Sequence, residues 1–174
     1  ECDVWATSDG EPVLGHDFNM IGMAEDPNSR EAVEAIEQQP WDALQHLRLK
    51  GGANPVLLRT VLEDLLGSGT RIMIELKCSS PALPLAEMLN KSPQLKTAIG
   101  CVMSFSFGCL EAFSEAVEQM DNKVLWIVDN CSTPYAEDEK HEGETTFNYT
   151  KDTLGMFLKR QGLLEKFRSL RCGL

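Results

Sequence analysis

Short β-rich runs alternating with helix-length amphipathic segments constrain this chain more than any other feature. RIMIEL at 71–76, a run at 99–105 and KVLWIV at 123–128 are nearly continuously apolar and bounded by turn residues. Such runs read as strands covered on both faces. The segments between them read as helices. Leu58, Val61, Leu62 and Leu65 recur at i, i+3, i+4 and i+7, with Gly67 and Gly69 ending the pattern. Residues 82–90 are helical in pattern. Cys109, Ala112, Ala116 and Met120 share a helical face, flanked by Leu110, Phe113 and Val117. Strands alternating with helices of about ten residues predict a parallel sheet with crossover helices.

Two shorter helices are expected earlier, at 29–38 before Pro40 and at 41–47. Residues 131–150 break the rhythm: they are polar and acidic and hold the isolated His141, which reads as a surface insertion before a last helix at 152–170. The whole of 1–174 is read as one domain. It starts on a strand with no methionine or leader, so the chain is expected to be a piece of a longer protein.

Charge narrows the partners. Sixteen basic against twenty-seven acidic residues give a net charge of −11, which argues against nucleic acid. No apolar run approaches the ~20 residues of a membrane-spanning helix. An acidic protein can still bind a phosphate through a local cation, either a metal ion or a placed lysine. The six cysteines, Cys2, Cys78, Cys101, Cys109, Cys131 and Cys172, form no C-x-x-C pair and have no histidines at zinc spacing. Sequons at Asn90, Asn130 and Asn148 hint only weakly at secretion, and the compartment stays open.

The chemistry concentrates in ECDVWATSDGEPVLGHD, residues 1–17. Glu1 and Asp3 are two apart on a strand and leave on one face. Two adjacent carboxylates repel unless something positive lies between them. Asp9-Gly10 is turn chemistry, and Pro12-Val13-Leu14 carries the chain back toward both acids, ending at His16. Glu75 and Lys77 form a second pair two apart, at the end of RIMIELK. Charged residues pointing inward at strand ends are what the catalytic face of a barrel requires. Three carboxylates from two strands can hold a divalent cation through oxygen ligands, as calcium and magnesium prefer. Lys77 can meet a phosphate beside that cation, and His16 is placed to move a proton. The remaining candidates have plainer readings: His46 as a surface or packing residue, His141 as solvated, Trp5, Trp41 and Trp126 as packing with Trp5 alternatively lining a substrate pocket, and the acidic run 137–139 as a solvated loop.

These residues resemble the glycerophosphodiester phosphodiesterase family. Its pattern of E-x-D-V, T-x-D-G, P-V, H-D, I-E-x-K and S-F is matched by Glu1-Cys2-Asp3-Val4, Thr7-Ser8-Asp9-Gly10, Pro12-Val13, His16-Asp17, Ile74-Glu75-Leu76-Lys77 and Ser104-Phe105. The resemblance covers residues 1 to about 129.

It implies an α/β fold of the TIM (β/α)8 barrel type, present only as a partial barrel of about strands two to five. It further implies Glu1, Asp3 and Glu75 as ligands of a magnesium or calcium ion, Lys77 as a phosphate contact and His16 as an acid/base residue. The implied reaction is hydrolysis of a small glycerophosphodiester to glycerol phosphate and an alcohol, a step of lipid and glycerol metabolism. The family's second histidine belongs to an H-R-G motif that this sequence does not contain, so the piece alone is expected to be inactive. Phosphoinositide-specific phospholipase C is the second reading: its similar E-x-D-x-W opening fits Asp3-Val4-Trp5, but it lacks H-D followed by E-x-K. A non-catalytic barrel remnant that binds proteins is the third.

Overall fold

The computed structural model describes residues 1–120 and 123–126. The expected insertion at 131–150, the last helix, His141 and the acidic run 137–139 lie outside them.

The alternation folds as a five-stranded sheet in the order β2-β1-β3-β4-β5. Its strands are β1 (Cys2–Ala6), β2 (Pro12–Leu14), β3 (Ile72–Leu76), β4 (Ile99–Ser104) and β5 (Lys123–Trp126). β1, β3, β4 and β5 run parallel, and β2 is antiparallel to β1. The four parallel strands are joined by helices, which makes the chain part of a TIM-type barrel.

Three helices follow strands or lead into them: α3 (Leu58–Leu65), α4 (Ala82–Lys91) and α5 (Phe107–Ala116), after the short α1 (Arg30–Val33) and α2 (Trp41–Leu44). Because side chains alternate across a strand, one sheet face collects Val4, Ile74, Leu76, Val102 and Val124. Leu58 and Leu62 of α3, Leu85 and Leu89 of α4, and Leu110 and Phe113 of α5 cover that face. Each fully buried leucine there contributes about 1.5–3 kcal/mol. The opposite face carries Glu1, Asp3, Met73, Glu75 and Lys77. Met73 on it is 45% exposed, so the start of β3 is open on this face where burial on both faces was expected, while Ile74, Glu75 and Leu76 are buried in succession.

The hairpin sets the geometry of the mouth. Gly10, at φ +83°, makes the turn between β1 and β2. β1 runs on past the last rung it shares with β3, and β2 then brings the chain back to the level of Asp3. There the Gly15 N–H donates to the Asp3 carbonyl at 3.1 Å. Residues between β2 and α3 build a second small core of Val13, Met20, Ala24, Ala32, Ile36, Leu44, Leu47 and Leu49, with Trp5 and Trp41 packed against it. Trp5 and Trp41 are therefore packing residues, as expected.

The helix expected at 29–38 is broken. Ser29 caps α1, but the chain turns extended at Glu34 and resumes as a 3-10 turn at Ile36–Gln38. The buried Gln39 side chain donates to the Glu31 and Glu34 carbonyls, which fixes the break and lets Ala32 and Ile36 face one core. The segment 41–47 is helical only to Leu44, because Asn54 captures the carbonyls of Gln45 and Leu47. α5 stops at Ala116, short of Met120, because the Asn90 side chain accepts from Glu118 N–H and donates to Ala116 O. The Asn90 amide is thereby engaged on both sides and unsuited to glycosylation.

Thr7 and Asp9 serve this frame. The Thr7 hydroxyl donates to Asp9 Oδ1 at 2.6 Å and accepts from Glu11 N–H at 2.9 Å, while Asp9 Oδ1 also accepts from Trp41 N–H at 3.0 Å. Burial alone would raise the Asp9 carboxyl pKa, but the Thr7 and Trp41 hydrogen bonds outweigh it and hold the value below the usual one. A lowered carboxyl pKa stabilises the fold above its unfolded-state value, and that contribution is lost as pH falls through the folded value. Asp9→Ala is expected to cost about 1 kcal/mol at neutral pH in denaturant unfolding, with the difference from wild type vanishing in strong acid.

Candidate functional site

Parallel pairing places Asp3 opposite Glu75 across β1 and β3, and Glu75 opposite Met103 across β3 and β4. Glu1 precedes Asp3 by two on the same face. The carboxylates of Glu1, Asp3 and Glu75 each offer an oxygen, and these lie within 4.8 Å of one another. No other acidic, histidine or cysteine cluster among the described residues converges in this way.

Lys77 closes the group. Its Nζ lies 2.9 Å from Glu75 Oε1 and 3.4 Å from Asp3 Oδ1. Glu75 is 8% exposed, and its buried Oε1 has the Lys77 ammonium as its close charged partner. Burial pulls the Lys77 pKa down, yet Glu75 and Asp3 overcome that and leave it raised. Three carboxylates against one ammonium leave a formal excess of negative charge at the mouth. An all-oxygen donor set of three carboxylates with that excess charge suits a hard divalent cation.

His16 stands apart from this cluster. Its backbone leaves one residue after the Gly15–Asp3 hydrogen bond, but the imidazole is 73% exposed and its Nδ1 contacts Asp17 Oδ1 at 3.0 Å. The structure thus brings four of the five predicted residues together and leaves the fifth at the rim.

Among the described residues Cys2, Cys78, Cys101 and Cys109 are free thiols, the first two partly buried and the last two buried. Burial pushes Cys2 and Cys109 up to about 12, so neither is a nucleophile at neutral pH. An open cleft of about 590 Å³ lies elsewhere, lined by Glu25, Asp26, Ser29, Glu31, His46 and Arg48, and its carboxylates share no common point.

Behind the site, Thr7, Asp9 and Gln39 hold the hairpin and its lobe, and Ser104 and Cys109 hold the end of β3. Thr7, Asp9 and Ser104 were singled out by the motif resemblance without these roles; Gln39 and Cys109 were missed, and nothing in their local sequence marks the carbonyls they hold.

Fold and site together define a segment of a parallel βα-barrel with three acidic residues and one lysine gathered on one sheet face, where the start of β1 lies beside the carboxyl end of β3. Solved structures of the same class are glycerophosphodiester phosphodiesterases. One from Parabacteroides distasonis superposes with a TM-score of 0.56 at 20% identity, covering 72% of this chain and 50% of that one. Another, from Agrobacterium tumefaciens, gives 0.55 at 18% identity, covering 71% and 51%. A phosphodiesterase from Oleispira antarctica, solved in complex with the product sn-glycerol-3-phosphate, gives 0.58 at 17% identity, covering 98% and 59%. The chain therefore spans about half to three-fifths of the length of these barrels, and the likeness establishes the fold. No protein-family profile matches the sequence, and no curated protein does. No described helix is long and apolar enough to cross a membrane.

Proposed function

We propose that the chain carries the metal-binding half of a phosphodiesterase site that hydrolyses glycerophosphodiesters to glycerol phosphate and an alcohol. The observation that carries this reading is the convergence of Glu1, Asp3 and Glu75, with Lys77 bridging two of them.

In this reading Glu1, Asp3 and Glu75 hold magnesium or calcium. A divalent cation held there would offset charge on a phosphoryl group and help to activate an oxygen nucleophile. Lys77 contributes a second, fixed positive charge. Its raised pKa keeps it protonated at neutral pH, and on substrate binding it can exchange one carboxylate contact for a phosphoryl oxygen. A water oxygen bonds phosphorus and releases a proton, the bond to the alcohol oxygen breaks, and that oxygen takes up a proton, so protons balance over the turnover. In this reading His16, whose Nδ1 contacts Asp17 Oδ1, carries one of these two transfers.

The test is release of glycerol phosphate from glycerophosphocholine and glycerophosphoinositol by the full-length gene product, with and without divalent cation. Cation-dependent release is expected. His16→Ala should lower it by ~10²–10⁴-fold, with unfolding unchanged because the side chain is exposed. Folded protein that releases nothing under any cation would refute the reading.

A further inference from the structure

The β4–α5 corner is built around the backbone that delivers Lys77. The Leu76–Lys77 peptide is held from both neighbouring strands: its N–H donates to the Val4 carbonyl of β1 at 3.2 Å, and its carbonyl accepts from Ser104 Oγ of β4 at 2.7 Å. One bond is backbone to backbone, but the other depends on a side chain. The Ser104 hydroxyl is also directed, because its oxygen accepts from Ser106 N–H at 3.1 Å and its own proton is therefore committed to Leu76 O. One residue beyond Lys77, the Cys78 carbonyl accepts from Cys109 Sγ at 2.9 Å. The carbonyls on both sides of Lys77 are thus gripped by side-chain donors from a single supersecondary unit.

Burial makes this arrangement costly to hold without a purpose. Ser104 is 1% exposed and sits on the helix-covered face beside Val102, where alanine would pack as well and shed a hydroxyl. Cys109 is equally buried, and its thiol keeps its proton at neutral pH, so it remains a donor. Both donors aim at the chain end from which one lysine must reach two carboxylates.

We infer that Ser104 and Cys109 are positioning residues that fix the Lys77 ammonium against the carboxylate cluster and so set its contact with a phosphoryl oxygen. The inference rests on the phosphodiesterase reading of the site. Displacement of a charged group by about 1 Å costs ~10²-fold where alignment matters, and loss of one of two pins should tilt the peptide by less.

The test is a mutant cycle in the full-length gene product. Ser104→Ala and Cys109→Ala are each expected to lower kcat/KM by about tenfold in the wild-type background and to have no further effect in a Lys77→Met background. Ser104→Thr and Cys109→Ser, which keep a donor, should restore most of the loss and serve if the alanine variants fold poorly. Amide exchange supplies a readout free of activity. The Lys77 N–H should exchange at least tenfold faster in Ser104→Ala, while the Leu85 N–H, bonded within α4 to the Pro81 carbonyl, should not accelerate in step. Equal losses in both lysine backgrounds, or parallel acceleration of both amides, would overturn the positioning role. If wild-type protein showed no turnover, the reading of the site would fail separately, and the exchange comparison, run on Ser104→Ala and Cys109→Ala alike, would still decide whether the two residues hold the Lys77 backbone.

Discussion

Glu75→Gln is expected to abolish divalent-cation binding and to lower phosphodiester hydrolysis by about 10³-fold, the loss seen when a principal electrostatic group leaves a preorganised site. Glu75 is the central member of the cluster: it sits on β3 between β1 and β4 and faces Asp3 across the ladder. Its Oε1 is buried and has Lys77 as its cation contact. Glutamine fills the same volume but removes one of three negative charges and puts a donor amide where a ligand oxygen stood. Stability should change little, because Asp3 still faces Lys77. Calorimetric titration with magnesium or manganese measures the first effect and kcat/KM the second. Retained cation affinity would exclude Glu75 as a ligand.

Lys77→Met separates the two positive charges of the site. Without the ammonium, three carboxylates within 4.8 Å have no compensating charge among them, and their mutual repulsion destabilises the fold. A lysine whose pKa is raised on folding contributes stability that is fully present below its unfolded-state value and is lost as pH rises through the folded one. The deficit of the variant should therefore hold across neutral pH and shrink only in strong alkali. Divalent cation should recover the melting temperature, because it binds the folded cluster and not the unfolded chain. It should not recover hydrolysis, which is expected to stay ~10²–10³-fold down for want of the second charge on the phosphoryl group. A melting temperature that is low and indifferent to cation would mean that Lys77 is structural and the carboxylates hold no ion.

Spacing in the sequence accounts for much of this site. Residues two apart on a strand share a face, so Glu1 with Asp3 and Glu75 with Lys77 were legible as pairs. Their meeting depends on the register that sets Asp3 against Glu75, a long-range fact that the motif resemblance implied and local spacing does not contain. The return of the chain to His16 followed from Asp9-Gly10 and Pro12-Val13-Leu14. The direction of the imidazole did not, because an exposed side chain is set by its neighbour Asp17 and not by the turn.

Helix ends show the same division. α3 was readable because its apolar face and its glycine stop are both local. The break after α1 and the end of α5 were not, since Gln39 and Asn90 cap carbonyls of separate segments. Ser104 read as part of the S-F motif and Cys109 as one position of a helical face, and only tertiary structure shows which carbonyls they hold.

A crystal of the full-length gene product grown with manganese gives the decisive measurement: an anomalous difference map at the mouth of the sheet. The carboxylate site predicts one strong peak coordinated by oxygens of Glu1, Asp3 and Glu75, with the Lys77 ammonium beside it. A map with no peak there, in a protein that hydrolyses the substrate with manganese present, would contradict it.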